Sequence, residues 1–229
     1  MTNLTLECCA NSVQSAINGQ AGGATRIELC ANLELGGTTP SAASICMARE
    51  VLDIDLFVLI RPRSGSFVYK DIELEEIIQD IEFCKEIGCD GVVIGALNSD
   101  GTVNTSQTQE MVNAAKPMEV TFHRAFDETT DPFEALEDII SSGCKRILTS
   151  GQADNVTQGI ELMRELVAKA DERISIMAGG GLHAGNVLQF YPIGIREFHS
   201  SGTNKKSQGI PQTQINKIEE ILENLDGLE

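Results

Sequence analysis

The stretch GCKRILTSG, residues 143–151, contains a short motif, a helix end followed by a turn and the start of a strand, that recurs along the whole chain. Its glycine suits the left-handed end of a helix, two residues turn, and an apolar strand begins. The same arrangement opens GATRI (23–27), GCDGV (88–92) and GIREF (194–198). The four copies precede every second predicted strand, at intervals of 65, 55 and 51 residues, so the chain repeats a strand–helix unit.

Short apolar, β-branched runs alternate with longer segments of helical periodicity. We predict strands at residues 4–7, 26–29, 56–61, 91–94, 118–123, 146–149, 174–178 and 195–199. Strands that alternate with helices pair in parallel through right-handed crossovers, so eight of them predict a (β/α)8 TIM barrel. No linker divides the 229 residues. We therefore expect one α/β domain, 1–229, that ends in a surface helix at 212–226.

Composition excludes several classes of partner. The net charge of −17 repels phosphate backbones and anionic lipid, so we expect neither nucleic acid nor membrane partners. No apolar run is long enough to span a bilayer, and the first residues lack a signal-peptide pattern. The seven cysteines are an odd number, which favours reduced thiols in the cytoplasm over a disulfide framework.

Strand alternation places polar side chains inside the barrel. Three neighbouring strands carry a Glu followed two residues later by a Cys or a His: Glu7 with Cys9, Glu28 with Cys30, and Glu197 with His199. The fifth strand adds Thr121 and His123, and Arg61 and Arg63 follow the third. All lie at carboxyl ends of strands, where barrel enzymes place their chemistry. Isolated cysteines there can also be small apolar residues, and interior charges can form a structural ion-pair network.

A glycine-rich loop predicts an anion site. The seventh strand ends in Gly179, Gly180 and Gly181, which allow close backbone approach to a ligand. Barrels often bind phosphate with the loops after strands seven and eight, and the second loop here begins with Ser200 and Ser201. The alternative is that the glycines only permit a tight turn.

Seven ordered motifs together resemble the CutC family over roughly residues 4–203: RIELCANLELGGTTPS (26–41), IRPRSGSFVY (60–69), GCDGVVIGALNSDG (88–101), TFHRAFD (121–127), RILTSG (146–151), MAGGG (177–181) and REFHSSG (196–202). The resemblance implies a TIM barrel, a cytoplasmic location, homo-oligomers and a role in copper homeostasis. It also implies Cu(I) binding by cysteines that match Cys9 and Cys30. Two departures are Cys8, where relatives often carry an apolar residue, and Ser64, where they often carry glycine.

Two functional hypotheses follow. In the first, the chain is a cytoplasmic copper homeostasis protein in which Cys9 and Cys30 bind Cu(I), with His199 as a further ligand and Cys8 as a spare thiol. In the second, it is an enzyme for a small anionic or phosphorylated metabolite. Its acid–base groups would be Glu7, Glu28, His123 and His199, and its anion-binding groups Arg61, Arg63, Gly179, Gly180, Gly181, Ser200 and Ser201. The first is our working prediction.

Overall fold

The computed structural model describes residues 4–203 and 211–227, and its eight parallel strands close into a barrel in chain order. The TIM-barrel prediction is therefore confirmed. The strands are β1 Thr5–Ala10, β2 Arg26–Leu29, β3 Asp55–Leu59, β4 Gly91–Ile94, β5 Glu119–Phe122, β6 Arg146–Thr149, β7 Ser175–Gly179 and β8 Glu197–Ser200. Every predicted strand is found. The largest shift is in β1, which continues three residues further than expected and so contains Cys9.

Seven α-helices of the described residues surround the barrel: α1 Val13–Ala21, α2 Ala42–Val51, α3 Asp71–Ile87, α4 Thr105–Ala115, α5 Pro132–Ser142, α6 Ile160–Ala170 and α7 Ile215–Leu225. The connection from β7 to β8 contains only the short 3₁₀ turns Val187–Gln189 and Tyr191–Ile193. The glycines of the repeated motif all have φ between 81° and 96°, as a left-handed helix end requires. They are Gly23, Gly88, Gly143 and Gly194. Across the described residues, no helix is both long and apolar enough to cross a membrane.

The apolar core lies mainly between the strands and the helices. A second, small cluster fills part of the barrel interior and includes Cys9, Cys30, Phe57 and Leu59. Phe57 occupies the space that Gly91 leaves open, since a Cβ on that glycine would lie 2.3 Å from the ring. The interior is thus only partly apolar, and charged side chains occupy much of the rest.

A network of buried ion pairs fills the interior near the amino ends of the strands. The Arg26 guanidinium donates to Glu7 at 2.5 Å and also to Glu197. Arg146 donates to Glu197 at 3.0 Å and to Glu119 at 2.5 Å. Both guanidinium carbons lie 5.0 Å from the centre of the Phe57 ring, so one aromatic face contact supports each cation. The polar groups nearer the carboxyl ends of the strands lie directly above this network of ion pairs.

Replacing Arg26 by Met tests the structural role of this network. The variant keeps an unbranched side chain but leaves the fully buried Glu7 without its cation, so the free energy of unfolding should fall by about 3–5 kcal/mol. Urea unfolding followed by circular dichroism measures the change. The matched control is Arg173→Met, which removes an exposed pair with Glu137 and should change stability little. Equal stability of Arg26→Met and the control variant would contradict the structural role of the network.

Candidate functional site

Two thiols meet at the carboxyl ends of β1 and β2. Cys9 pairs in register with Glu28, and Cys30 directly follows β2, where its N–H donates to the Ala10 carbonyl at 2.9 Å. This alignment brings the Sγ atoms of Cys9 and Cys30 to 3.8 Å from each other, and both residues are buried. The hydrogen bond with Cys30, together with burial, raises the pKa of the Cys9 thiol well above its ordinary value. At neutral pH this thiol is therefore protonated.

Cys8 does not belong to this group, which corrects the expectation of a spare thiol. Alternation along β1 turns its side chain towards the helices, where its sulfur lies 3.7 Å from the Thr213 hydroxyl. Its thiol also packs against Gly19 of α1, where a Cβ would lie only 2.7 Å from the sulfur. Burial raises the pKa of Cys8 to about 12. Cys8 is a packing residue between the sheet and the helices.

His199 of β8 connects two carboxyl groups. Its Nδ1 lies 2.7 Å from Glu7, and its Nε2 lies 3.6 Å from Glu28. Burial would raise the pKa of Glu7, but Arg26 and His199 lower it to about 2. Burial raises the pKa of Glu28, whereas for His199 the two carboxylates outweigh burial and raise its pKa. The two acids thus differ: Glu7 is a fixed carboxylate and Glu28 retains a proton more readily.

The same cluster contains a set of possible metal ligands. One ligand atom each from Cys9, Glu28 and His199 lie within 4.8 Å of one another. With Glu7 accepting from Nδ1, the Nε2 atom of His199 is the one turned towards this set. Carboxylate support of a histidine in this manner is usual around bound metals. The donor set of one sulfur, one nitrogen and one carboxylate oxygen therefore fits a metal ion that accepts sulfur and nitrogen ligands beside oxygen.

A cavity of about 80 Å³ opens beside these groups and extends to the ends of β3 and β5. Its lining includes Cys9, Glu28, Cys30, Leu59, Arg61, Phe67, His123 and Arg124. His123 follows β5 and fits against Gly95, where a Cβ would lie 2.5 Å from the imidazole. Burial and the nearby Arg61 lower the pKa of His123 to about 3, so it is neutral.

The two predicted anion-binding arginines hold the protein's own loops. Arg61 donates to the carbonyls of Gly36, Gly37 and Gly65 at 3.2, 3.1 and 2.6 Å, and its guanidinium lies 4.5 Å from the Phe67 ring. Its Nε is buried and has no hydrogen-bond partner among the described residues. Arg61 therefore shapes the cavity mainly by fixing the loops that follow β2 and β3.

Arg63 is a clearer correction. It lies outside the cavity lining, and its guanidinium donates to Glu73 and to the carbonyls of Ser66 and Val68 at 2.7 and 2.9 Å. With these donors occupied by its own chain, it has little capacity left for a ligand. Sequence alone could not reveal this, because the acceptors are mostly backbone carbonyls.

The glycine loop belongs to a different opening. Gly181, Ser200 and Ser201 line a groove of about 590 Å³ between the loops that follow β7 and β8, apart from the cavity that Arg61 lines. The residues that were predicted to form one anion site therefore do not lie together: the serines and Gly181 line this groove, and Arg61 lines the cavity. The Ser200 hydroxyl donates to the Leu182 carbonyl at 2.8 Å, and Ser201 is bonded to Thr203 at 2.9 Å. Both hydroxyls are already used within the loops.

The first two glycines of that loop serve packing. A Cβ on Gly179 would lie 2.4 Å from Leu148 and 3.0 Å from the Cβ of His199, so glycine makes room for these side chains. Gly180 has a φ of +102° and passes beneath the Arg124 guanidinium. Their contribution is to let larger groups approach the cavity.

Arg124 is the residue that sequence reasoning missed. It follows His123 and lines the cavity, with its side chain about half exposed. Its Nε donates to Asp127 at 2.7 Å and one terminal nitrogen donates to Ser150 at 2.8 Å. Asp127 is itself held by Thr149 and by the Ser150 amide. The spacing in HRAFD contains this i,i+3 pair, which was the available signal.

Comparison with known proteins identifies relatives over most of the chain. The family model of the CutC family matches residues 4–204. A CutC family protein from Parabacteroides distasonis is 48% identical over 198 residues, covering 86% of this chain and 82% of that protein. One from Bacteroides fragilis is 46% identical over 212 residues, covering 92% and 84%.

Solved structures agree. The crystal structure of CutC from Streptococcus agalactiae, a protein named for copper homeostasis, is similar with a TM-score of 0.82 and 32% identity, over 86% of this chain and 98% of that one. Thiamine phosphate pyrophosphorylase from Pyrococcus furiosus has a TM-score of 0.67 at 14% identity, over 98% and 96% of the chains, which reflects the shared fold alone. By sequence and by structure, the chain belongs to the CutC family.

Proposed function

We propose that this chain binds one Cu(I) ion between Cys9 and Cys30, in the cytoplasm, as part of copper homeostasis. The observation that carries the proposal is the 3.8 Å separation of the two Sγ atoms. Two thiolates that share one ion through metal–sulfur bonds of roughly 2.3 Å lie roughly 3.8–4.0 Å apart. The pair is therefore spaced for a shared ion with little movement of the backbone.

The chemistry of the donors favours a soft ion. Thiolates select Cu(I), and imidazole is an acceptable third ligand. His199 would supply Nε2, while Glu7 holds its other nitrogen at 2.7 Å. The name of the related protein from Streptococcus agalactiae supports copper as the ion. All seven cysteines are free thiols, which agrees with a reducing compartment.

The first test is an anaerobic Cu(I) competition titration of the reduced protein against a chromophoric chelator. Wild type should bind one ion, and the Cys9→Ser/Cys30→Ser double variant should lose this binding, because hydroxyls are poor ligands for Cu(I). Cys8→Ser is the matched control, since it alters the adjacent residue of the same strand on the opposite face. Unchanged binding by the double variant, or equal loss in Cys8→Ser, would exclude the proposed site.

Binding of copper should also depend on pH. The Cys9 thiol is protonated, and both thiols must lose their protons when the ion binds. While both are protonated, apparent affinity should fall by up to roughly 100-fold for each unit by which the pH is lowered. Titrations at several pH values, corrected for the chelator, measure this slope. An affinity independent of pH would show that thiolates are not the ligands.

A second function is favoured by a separate observation, the opposite pKa shifts of two neighbouring carboxyl groups. Glu7 is held at a pKa of about 2, while burial raises the pKa of Glu28, and His199 lies between them. Groups with such divergent environments are typical acid–base pairs. We propose Glu28 as the proton-transfer group of an enzyme that acts on a small anionic metabolite.

This second function predicts a different mutational pattern. Proton transfer to and from a bound metabolite in D₂O would appear as deuterium incorporation, followed by NMR over a panel of short carboxylates and their phosphorylated analogues. Glu28→Gln should reduce the exchange by at least about 100-fold. The Cys9→Ser/Cys30→Ser variant should retain it. Loss of exchange in the thiol variant but not in Glu28→Gln would contradict the role of Glu28.

A further inference from the structure

The side of the cavity away from the thiols contains hydrogen-bond donors that have no acceptor within residues 4–203 and 211–227. In a closed barrel of eight strands in chain order, β5 lies across the interior from β1. His123 and Arg124 follow β5, whereas Cys9 lies on β1. The two ends of the cavity therefore differ in chemistry, with sulfur and carboxyl groups on one side and nitrogen donors on the other.

His123 is the first of these donors. Its Nδ1 accepts a hydrogen bond from the Ala125 amide at 3.1 Å, so the ring proton of the neutral imidazole is on Nε2. That Nε2 is buried and has no partner within the described residues. The side chain is 5% exposed and lines the cavity. A buried donor without an acceptor destabilises the empty cavity, and a ligand oxygen would supply the missing hydrogen bond.

Two arginines add positive charge around the same space. The Nε of Arg61 is also buried without a partner in the part of the chain that the structure describes. Arg124 is fixed by Asp127 and Ser150 through two of its nitrogens, and the third, Nη1, lies over Gly180 with no partner among the described residues. Such a preset guanidinium loses little freedom when it binds a carboxylate.

The size of the cavity limits the ligand. A volume of about 80 Å³ holds about two to three waters at the roughly 30 Å³ that each occupies in the liquid, so it takes only the inner end of a small ligand, whose remainder would extend along the half-exposed Arg124 side chain. A bare carboxylate would satisfy Arg124 and leave His123 unpaired. An acid with a second oxygen beside the carboxylate offers an acceptor to each of these two donors, which line the same cavity.

We infer that this cavity binds a short 2-oxo or 2-hydroxy carboxylate. Its carboxylate contacts Arg124, and its second oxygen accepts from the Nε2–H of His123. This inference does not rest on copper binding. It rests on the acid–base proposal only for what happens to the ligand afterwards, so binding without turnover would refute that proposal and leave this one standing.

Histidine NMR provides a direct test, because the chain has only three histidines. Pyruvate is the probe, added to full-length, reduced, metal-free protein whose imidazoles are labelled with ¹⁵N. Saturable binding should move the Nε2 resonance of His123 and leave that of His183, which lines the separate groove, unchanged. Acetate, which lacks the second oxygen, should bind at least about tenfold more weakly.

Variants identify the anion contact. Arg124→Gln should weaken pyruvate binding by at least about tenfold, and Arg124→Lys should recover part of the loss. Arg63→Gln is the matched control, since its guanidinium is occupied by Glu73 and by loop carbonyls, and it should bind as wild type does. Should Arg124→Gln fold poorly, the His123 resonance in wild-type protein still decides the question.

Three outcomes would overturn the inference. One is the absence of any saturable shift at His123. Another is binding of inorganic phosphate at His123 without binding of pyruvate, which would assign the cavity to phosphate. The third is an equal loss of binding in Arg63→Gln and Arg124→Gln, which would remove Arg124 as the contact.

Discussion

The ion pair between Arg26 and Glu7 determines the state of the groups above it in the barrel. A fully buried glutamate would normally become neutral, but the adjacent guanidinium keeps Glu7 charged. A charged Glu7 accepts from Nδ1 of His199 and so orients the imidazole towards Glu28. Glu28, which lacks such a direct pair with an arginine, has the raised pKa. The different behaviour of the two acids thus follows from one cation.

Because side chains alternate along a strand, the groups inside the barrel lie in layers, with charged, carboxyl and thiol side chains at successive levels. On β2 and the residue after it, Arg26, Glu28 and Cys30 follow one another at intervals of two and face the same way. They place a cation in the base of the barrel, a carboxyl group in its middle and a thiol at its carboxyl end. In the sheet register, Glu7 of β1 lies beside Arg26 and Cys9 lies beside Glu28, from where the Cys9 sulfur also reaches that of Cys30. The site is therefore a consequence of barrel geometry as much as of any loop.

The sequence predicted those parts of the molecule that depend on periodicity. Strand positions, the closed barrel and the proximity of Cys9 to Cys30 all follow from alternation and from the adjacency of strands. The same rule, applied fully, would have turned Cys8 outward and brought Arg26 inward. Alternation alone gives no distances, however, so it could not reveal which carboxyl group would pair with the arginine.

The sequence did not show which arginines have their partners in loops. Arg61 and Arg63 were expected to bind an anion, but carbonyls of the loops after β2 and β3 take most of their donors. Arg124 was overlooked because it lies beyond the end of β5, where alternation stops. The conformation of the loops decides the hydrogen bonds of such residues. Loop conformation, unlike strand alternation, leaves no regular pattern in a single sequence.

The two proposed ligands of the cavity would oppose each other. Two protonated thiols carry no charge, whereas two thiolates that share one Cu(I) carry one net negative charge within the same small, largely buried space. Because both ligands would lie in one cavity that is largely shielded from salt, the negative charge would repel a carboxylate held by Arg124. By linkage, the carboxylate must weaken copper binding by the same factor. A chain built in this manner is suited to holding either the ion or the metabolite, and its occupancy would report which of the two is abundant.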